Sequence, residues 1–268
     1  MNQTITFIGG GNMASAIIGG ILGANLAAKE LITATAKTEQ TLASLKERFG
    51  ICTTSDNEAA VKDADIIFLA VKPYLFPEII AQIKNAVKQD AIIVSIAAGQ
   101  TITAVESMFG KEIKLVRAMP NTPALVGEAM SAVCANPNIT EEELSLIISI
   151  FNSFGKCEVI TESMMDVVIG VSGSSPAYVY MFIEAMADAA VADGMPRAQA
   201  YKFAAQSVLG SAKMVLETGR HPGELKDNVC SPGGTTIEAV AVLEQQGLRN
   251  AVITAQRACV RKSKDMSK

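Results

Sequence analysis

An apolar run that breaks into three consecutive glycines and then continues as a helix leaves a chain few folds to adopt. Here Ile5-Thr-Phe-Ile8 leads into Gly9, Gly10 and Gly11, then Asn12-Met13-Ala14 and an apolar stretch to Leu22. The order is strand, tight turn and helix start, with G-x-G-x-x-A spacing. Gly9 permits the turn, Gly11 lets backbone approach a pyrophosphate, and Ala14 lets the helix pack close to the strand. Free N–H groups at the helix start can then bind the anion. The spacing alone is weak evidence, since a glycine-rich turn need hold no ligand; its place between strand and helix gives it weight.

Strand and helix continue to alternate beyond Leu22. Thr4–Ile8, Leu31–Thr35, Asp65–Val71, Ala91–Ala97 and Ile113–Ala118 read as strands separated by helical stretches, with a weaker strand over Ala129–Cys134 and a last one over Cys157–Ile160. Ile66–Val71 and Ala91–Ala97 are apolar almost without a break, as in strands covered on both faces. Strands alternating with helices imply parallel crossovers and a doubly wound sheet. Thr140-Glu-Glu-Glu143 has capping-box spacing, and Gly155 is read as closing the helix it starts.

From about Ser163 the alternation stops. Long alanine-rich helical segments cover Pro176–Ala192, Pro196–Glu217, Thr235–Gln246 and Leu248–Lys262. Pro176 and Pro196 fall where a first helical turn tolerates proline, and Gly194 and Gly219 just past helix ends. Ala177–Ala192 is apolar around most of its circumference, and a domain of about 105 residues can hardly surround such a helix, so a second subunit is expected to cover it. The expected fold class is α/β: an N-terminal Rossmann-like doubly wound parallel sheet over residues 1–162, followed by an all-α C-terminal dimerisation domain over residues 163–268.

Composition closes off other classes. Across 268 residues the net charge is −4, which gives no electrostatic case for nucleic acid, and the basic tail Arg261, Lys262, Lys264 and Lys268 reads as a solvated helix end. No uncharged apolar run reaches the ~18 residues of a membrane span. The N-terminus enters a strand directly, without the features of a secretion signal. The five cysteines are scattered without a C-x-x-C pair, as free thiols in a reducing compartment would be; a cytoplasmic protein is expected. No His, Cys, Asp and Glu group has metal-ligand spacing, so no metal is expected.

An NAD-preferring loop carries an acid at the end of the second strand to hold the ribose 2′-hydroxyl. This chain has Ala34-Thr35-Ala36-Lys37-Thr38 and no acid before Glu39. Lysine and hydroxyls there suit a 2′-phosphate, so NADP, used as NADPH, is favoured with NADH possible; the plain alternative is that Lys37 is a solvated loop lysine. Lys72, just past a strand's C-terminal end, is either a cofactor-side contact or a loop lysine fixed by Pro73. Asn121 and Thr122 could orient a nicotinamide amide or simply form the turn around Pro120 and Pro123.

Four further segments, in this order and spacing, resemble the pyrroline-5-carboxylate reductase family: Ala70-Val71-Lys72-Pro73; Ala97-Ala98-Gly99 with Arg117-Ala-Met-Pro-Asn-Thr-Pro123; Gly170-Val-Ser-Gly-Ser-Ser-Pro-Ala-Tyr178; and Asp227-Asn-Val-Cys-Ser-Pro-Gly-Gly-Thr-Thr236. The resemblance covers essentially the whole chain. It implies reduction of 1-pyrroline-5-carboxylate to L-proline with NAD(P)H. It places Ile8, Gly9, Gly10, Gly11, Asn12, Met13, Ala36, Asn57, Ala70–Pro73 and Ala97–Gly99 along the cofactor, and Ser231, Gly233, Gly234, Thr235 and Thr236 on the substrate. It also implies an intertwined homodimer that assembles into a larger homo-oligomer. Two departures stand out. Ser175 replaces a glycine common in the family, and Ala36 lacks the hydroxyl that some relatives turn toward the cofactor.

The residues themselves agree with that chemistry. The single histidine, His221, precedes Pro222 in an apparent loop, and there is no G-x-S-x-G elbow. A ketone reductase needs a strong acid for the developing alkoxide; a protonated imine is already electrophilic and yields an amine. Ser231-Pro-Gly-Gly-Thr-Thr236 precedes an apolar helical run, so its backbone N–H groups can cradle a carboxylate, and Thr236 can hydrogen-bond the ring nitrogen. Against this, Thr235-Thr-Ile-Glu238 also has capping-box spacing, so these threonines could merely cap a helix. Glu184 and Asp188, a turn apart, read as subunit-interface pairing rather than acid–base groups. A 3-hydroxyacid dehydrogenase would need a lysine in Gly173–Phe182, where there is none. A cofactor sensor without turnover would have no use for the carboxylate cradle.

Overall fold

A computed structural model describes residues 1–266. The wholly buried β1 (Ile5–Ile8) passes through the glycine turn into α1 (Asn12–Gly23). After it come β2 (Ile32–Thr35), α2 (Glu39–Phe49), β3 (Cys52–Thr54) and α3 (Asn57–Val61). Then come β4 (Ile66–Leu69), α4 (Phe76–Ile83), β5 (Ile92–Ser95), α5 (Ile102–Phe109) and β6 (Lys114–Met119). β7 (Ala129–Ala135), α6 (Glu141–Asn152) and β8 (Gly155–Val159) complete an eight-stranded sheet of order β3-β2-β1-β4-β5-β6-β7-β8. Its first six strands are parallel, and the order reverses between β1 and β4, the switch point at which doubly wound sheets bind ligands.

Side chains of β4 alternate between two apolar clusters, one on each face. Ile66 and Phe68 join Phe7, Ile17 and Phe151; Ile67 and Leu69 join Ile8, Ile80 and Val105. Phe68 is fully buried and stacks on Phe7 with ring centroids 4.7 Å apart.

Three local expectations need correction. β7 runs antiparallel to β6, because only a short 3₁₀ turn, Thr122–Val126, joins them and a parallel crossover needs a longer connection. Gly155 does not close α6, which ends at Asn152; it opens β8 so close to the neighbouring strand that a Cβ would lie 2.1 Å from the Ala129 oxygen. The strand β3, unforeseen, is a three-residue edge with little apolar content. The Thr140–Glu143 capping box is present as read.

After the sheet, α7 (Met165–Val168) continues into a π-helical turn, Ile169–Gly173; Met165 and Ile169 pack on Met119, Ala132 and Cys134. The chain divides into two compact units, residues 1–174 with those from Cys259 onward, and Ser175–Ala258. The change of pattern at 162/163 precedes that division because the lead-in residues pack on the sheet.

The second unit holds α8 (Ser175–Ala192), α9 (Arg197–Thr218), α10 (Pro222–Val229), α11 (Thr235–Gln245) and the start of α12 (Leu248–Met266). Gly194 and Gly219 take left-handed conformations past α8 and α9, while Pro196 stands one residue before the first turn, as the cap of α9. The loop expected around His221 is instead the start of α10: the His221 ring accepts from the Gly223 amide at 3.1 Å, with Pro222 in the first turn. In this unit the fully buried apolar residues are Ala187, Ala200 and Ala204, while Tyr180, Met181, Phe182, Phe203 and Leu209 are exposed. Asp188 pairs with Arg197 of its own chain.

Candidate active site

The cofactor segments, scattered over ninety residues of sequence, come together because they all lie just past strand ends. In register, Ile8 lies opposite Thr35 and Leu69, and Leu69 opposite Ser95. Gly9, Ala36, Ala70–Pro73 and Ala97–Gly99 therefore continue from one edge of the sheet, the C-terminal edge. The Ala70 amide donates to the Ile8 oxygen at 2.9 Å. At φ 104° a Cβ on Gly9 would lie 2.7 Å from the Ala70 oxygen, so only glycine fits. Its amide donates to the buried Thr35 hydroxyl at 3.2 Å, an anchor that no sequence motif marks.

Beyond that turn the helix start is bare. Gly11 caps α1 without a side-chain hydrogen bond, and a Cβ on it would meet nothing within 4 Å. Asn12 is exposed, Met13 half-buried and Ala14 buried against the sheet. The first-turn N–H groups thus face open space, which fits a pyrophosphate. Gly10 is confined instead: its Cβ would come within 2.5 Å of the Leu45 side chain. Lys37 is exposed just past β2, next to Thr38, whose hydroxyl caps α2. Asn57 opens α3, and its amide donates to Gln82 of α4 at 2.9 Å. Lys72 is exposed at the head of the turn Pro73–Leu75.

Asn121 is held from both ends of its side-chain amide. It is buried, its amide nitrogen donates to the Ser172 oxygen at 3.0 Å, and its amide oxygen accepts from Met130 N at 3.0 Å. It braces the π-helical turn against β7.

The second unit has a glycine turn of its own at a helix start. The Gly234 amide donates to the Ser231 oxygen at 3.0 Å across a turn with Pro232 second and Gly233 third at φ 65°, the pattern of a type II turn. A Cβ on Gly234 would lie 2.3 Å from the Ser231 hydroxyl, so a side chain there would require that hydroxyl to turn away. Gly234 is the cap of α11, with no side-chain hydrogen bond; the capping-box reading of Thr235 and Thr236 is overturned, since both stand inside the first turn. Thr235 is exposed and Thr236 half-exposed. Among the described residues no group of three or more His, Cys, Asp or Glu could hold a metal, and no helix is long and apolar enough to cross a membrane.

Sequence reasoning missed one further arrangement. Arg117, 3% exposed on β6, donates to Glu162 at 2.8 Å, and the same carboxylate oxygen accepts from the Ile102 amide at 2.7 Å. The partners lie 45 and 60 residues apart and share no motif, so the sequence held no signal of it.

Comparison with known proteins supplies the family. Residues 162–266 match the model for pyrroline-5-carboxylate reductase dimerisation, and residues 4–99 that for NADP oxidoreductase, coenzyme F420-dependent. The chain is 52% identical over 268 residues to the pyrroline-5-carboxylate reductase of Escherichia coli (strain K12), covering 100% of both chains. It is 43% identical over 267 residues to that of Methanosarcina acetivorans, covering 100% of this chain and 99% of the relative. A crystal structure of the Plasmodium falciparum pyrroline carboxylate reductase with NADP bound matches with TM-score 0.91 and 35% identity, over 100% of this chain and 99% of that one.

Proposed function

The chain belongs to the pyrroline-5-carboxylate reductase family, and from that premise we propose that its two glycine-capped helix starts divide the reaction, α1 taking the cofactor and α11 the substrate. The protein is an NADP-dependent oxidoreductase of proline biosynthesis, reducing 1-pyrroline-5-carboxylate to L-proline. The 3-hydroxyacid dehydrogenase alternative falls with family membership.

The cofactor lies along Ile8–Met13, Ala36 and Lys37, Asn57, Ala70–Pro73 and Ala97–Gly99. The open face of Gly11 and the free amides after it support this, as does the lack of an acid at the end of β2. Bound there, the reduced nicotinamide supplies the hydride. The chain's own work is to hold the imine. Amides of the Ser231–Gly234 turn and the first turn of α11 receive the substrate carboxylate, with Gly233 and Gly234 leaving room for it. Thr235 lies beside the carboxylate. Thr236 hydrogen-bonds the ring nitrogen, its hydroxyl oxygen accepting from the protonated imine's N–H and orienting the C=N bond without need of a strong acid.

One observation carries this reading: α11 opens on a glycine cap, so neither threonine hydroxyl is spent on its own helix. The test tracks NADPH and NADH oxidation optically with 1-pyrroline-5-carboxylate, using a 3-keto acid as control. Wild type should oxidise cofactor with the imine alone, the ratio of the two rates giving the preference. Thr236→Ala should lower kcat at least ~tenfold while cofactor affinity stays, the loss of roughly 1.4 kcal/mol or more of transition-state binding. Turnover equal to wild type would leave Thr236 with no part in the reaction.

The protein is a homo-oligomer built on its dimerisation domain. We extend this to a larger assembly of dimers, supported by apolar side chains on several helices, among them Leu216, Val242 and Ile253. Cytoplasmic location is supported by five cysteines that are all free.

A further inference from the structure

The Glu162 carboxylate reaches across the fold to the backbone amide that opens α5. Ile102 is the first residue of α5, and the loop before it runs from Ala97 through Gly99 to the helix cap Thr101. Thr101 caps in the ordinary way, its hydroxyl accepting from Ala104 N at 3.1 Å. That leaves the Ile102 amide, which points back along the loop, and Glu162 takes it at 2.7 Å. A carboxylate at a helix N-terminus also meets the positive end of the helix dipole.

The carboxylate is itself held. Arg117, in register with Ser95 at the end of β5, donates one guanidinium nitrogen to the same Glu162 oxygen. Its remaining guanidinium nitrogens and the Ser95 hydroxyl are buried without partners. A charge so buried has no other compensation among the described side chains, so Arg117 and Glu162 fix one another. Glu162 opens the lead-in to α7, and residue 162 is also where the match to the dimerisation model begins.

We propose that Glu162 is a positioning residue for the cofactor: by fastening the Ile102 amide to Arg117, it sets the Ala97–Gly99 loop in the conformation that receives the nicotinamide end. This rests on the reading that Ala97–Gly99 lines the cofactor. Gly99 is left-handed at φ 76°, a conformation the loop must hold without a side chain of its own to lock it. Arg117 matters by holding Glu162, which itself makes the hydrogen bond to the start of α5.

The experiment uses the full-length enzyme and two readouts, steady-state kinetics and amide hydrogen exchange of the peptide spanning residues 96–104. NADPH should slow exchange of that peptide in wild type; no protection would remove the loop from the cofactor site, and the inference with it. Given protection, Glu162→Ala should speed exchange there about tenfold without ligand. It should also raise KM for NADPH about fivefold, with KM for the imine unchanged and kcat within twofold. Glu162→Gln keeps a carbonyl for Ile102 and should recover part of both effects, and it serves as the variant should alanine prevent folding. Arg117→Met should lower Tm while raising KM for NADPH less than Glu162→Ala does. Protection in wild type, with Glu162 variants that lower Tm but leave loop exchange and KM for NADPH within twofold, would make Glu162 a structural brace only and overturn the proposal.

Discussion

The two compact units solve the problem of hydrophobic burial in opposite ways. Residues 1–174 enclose their own core: strands β4 and β5 are buried at every residue, and each face of the sheet has its own apolar cluster. Ser175–Ala258 has long helices but buries little more than three alanines, leaving Tyr180, Met181, Phe182 and Phe203 in the open. Helical structure there cannot be held by a core the chain lacks, and an isolated helix is marginal without an apolar face to pack. One unit is thus folded by its own sequence, and the other by its sequence taken twice. An apolar composition says only that a surface must be covered, not which molecule covers it.

This contrast can be broken at its weakest point. Phe182→Asp combined with Phe203→Asp should weaken self-association by roughly a thousandfold, about 4 kcal/mol, and sedimentation should then show a monomer without activity. Sedimentation like wild type would mean that other helix faces are the covered ones. Phe68→Ala should cost about 3–5 kcal/mol, since it empties a fully buried site stacked on Phe7. That loss belongs to the self-sufficient unit, so in denaturant titrations it should be independent of protein concentration, whereas the helical unit's transition should shift with concentration.

The smallest effect is electrostatic and confined to the first unit. Burial alone would raise the Glu143 carboxyl, but hydrogen bonds from Lys114, at 2.5 Å, and from Thr140 hold it below its ordinary value. Lys114 is pushed up, chiefly by its hydrogen bond to Glu143. A carboxylate lowered by folding stabilises fully above its unfolded pKa and loses that contribution as pH falls through the folded one. The raised lysine contributes below its unfolded pKa and loses its contribution as pH rises through the folded value. The bridge should therefore be worth about 0.5–1 kcal/mol at neutral pH. Glu143→Gln, which keeps the cap, should show that deficit at pH 7 in urea melts and lose it as pH falls through the lowered pKa of the folded carboxyl.

Legibility in the sequence divides along the same line. The sheet is readable because buried parallel strands are near-continuous apolar runs, and the cofactor turn because glycine at Gly9 and Gly11 has a backbone reason. The elements that escape lack a local signal. β3 is short and at an edge, and α10 is exposed and opens on His221-Pro222-Gly223, which reads as a loop. Gly155 reads as a helix stop because the close approach of Ala129 that requires it comes from another strand. Thr235 and Glu238 have capping spacing, yet the turn closed by Gly234 starts the helix one residue earlier than that spacing implies. Asn121 has the right neighbours for a ligand contact, but its partners Met130 and Ser172 are fixed by packing. The link from Arg117 through Glu162 to Ile102 exists only in three dimensions.

The C-terminal helix bears on how the protein is made. From Cys259 onward α12 belongs to the first unit, where Ser263 donates to Asp166 at 2.5 Å and the Cys259 thiol to Ser174 at 3.2 Å. During synthesis, domains generally close as units from the N-terminus. Here a nascent chain that has released residues 1–174 still lacks the segment that covers Asp166 and Ser174. The nucleotide-binding unit is finished only after the whole helical stretch in search of a second chain has left the ribosome. Translation thereby ties the last step of one unit's folding to the moment at which the other becomes able to find its partner.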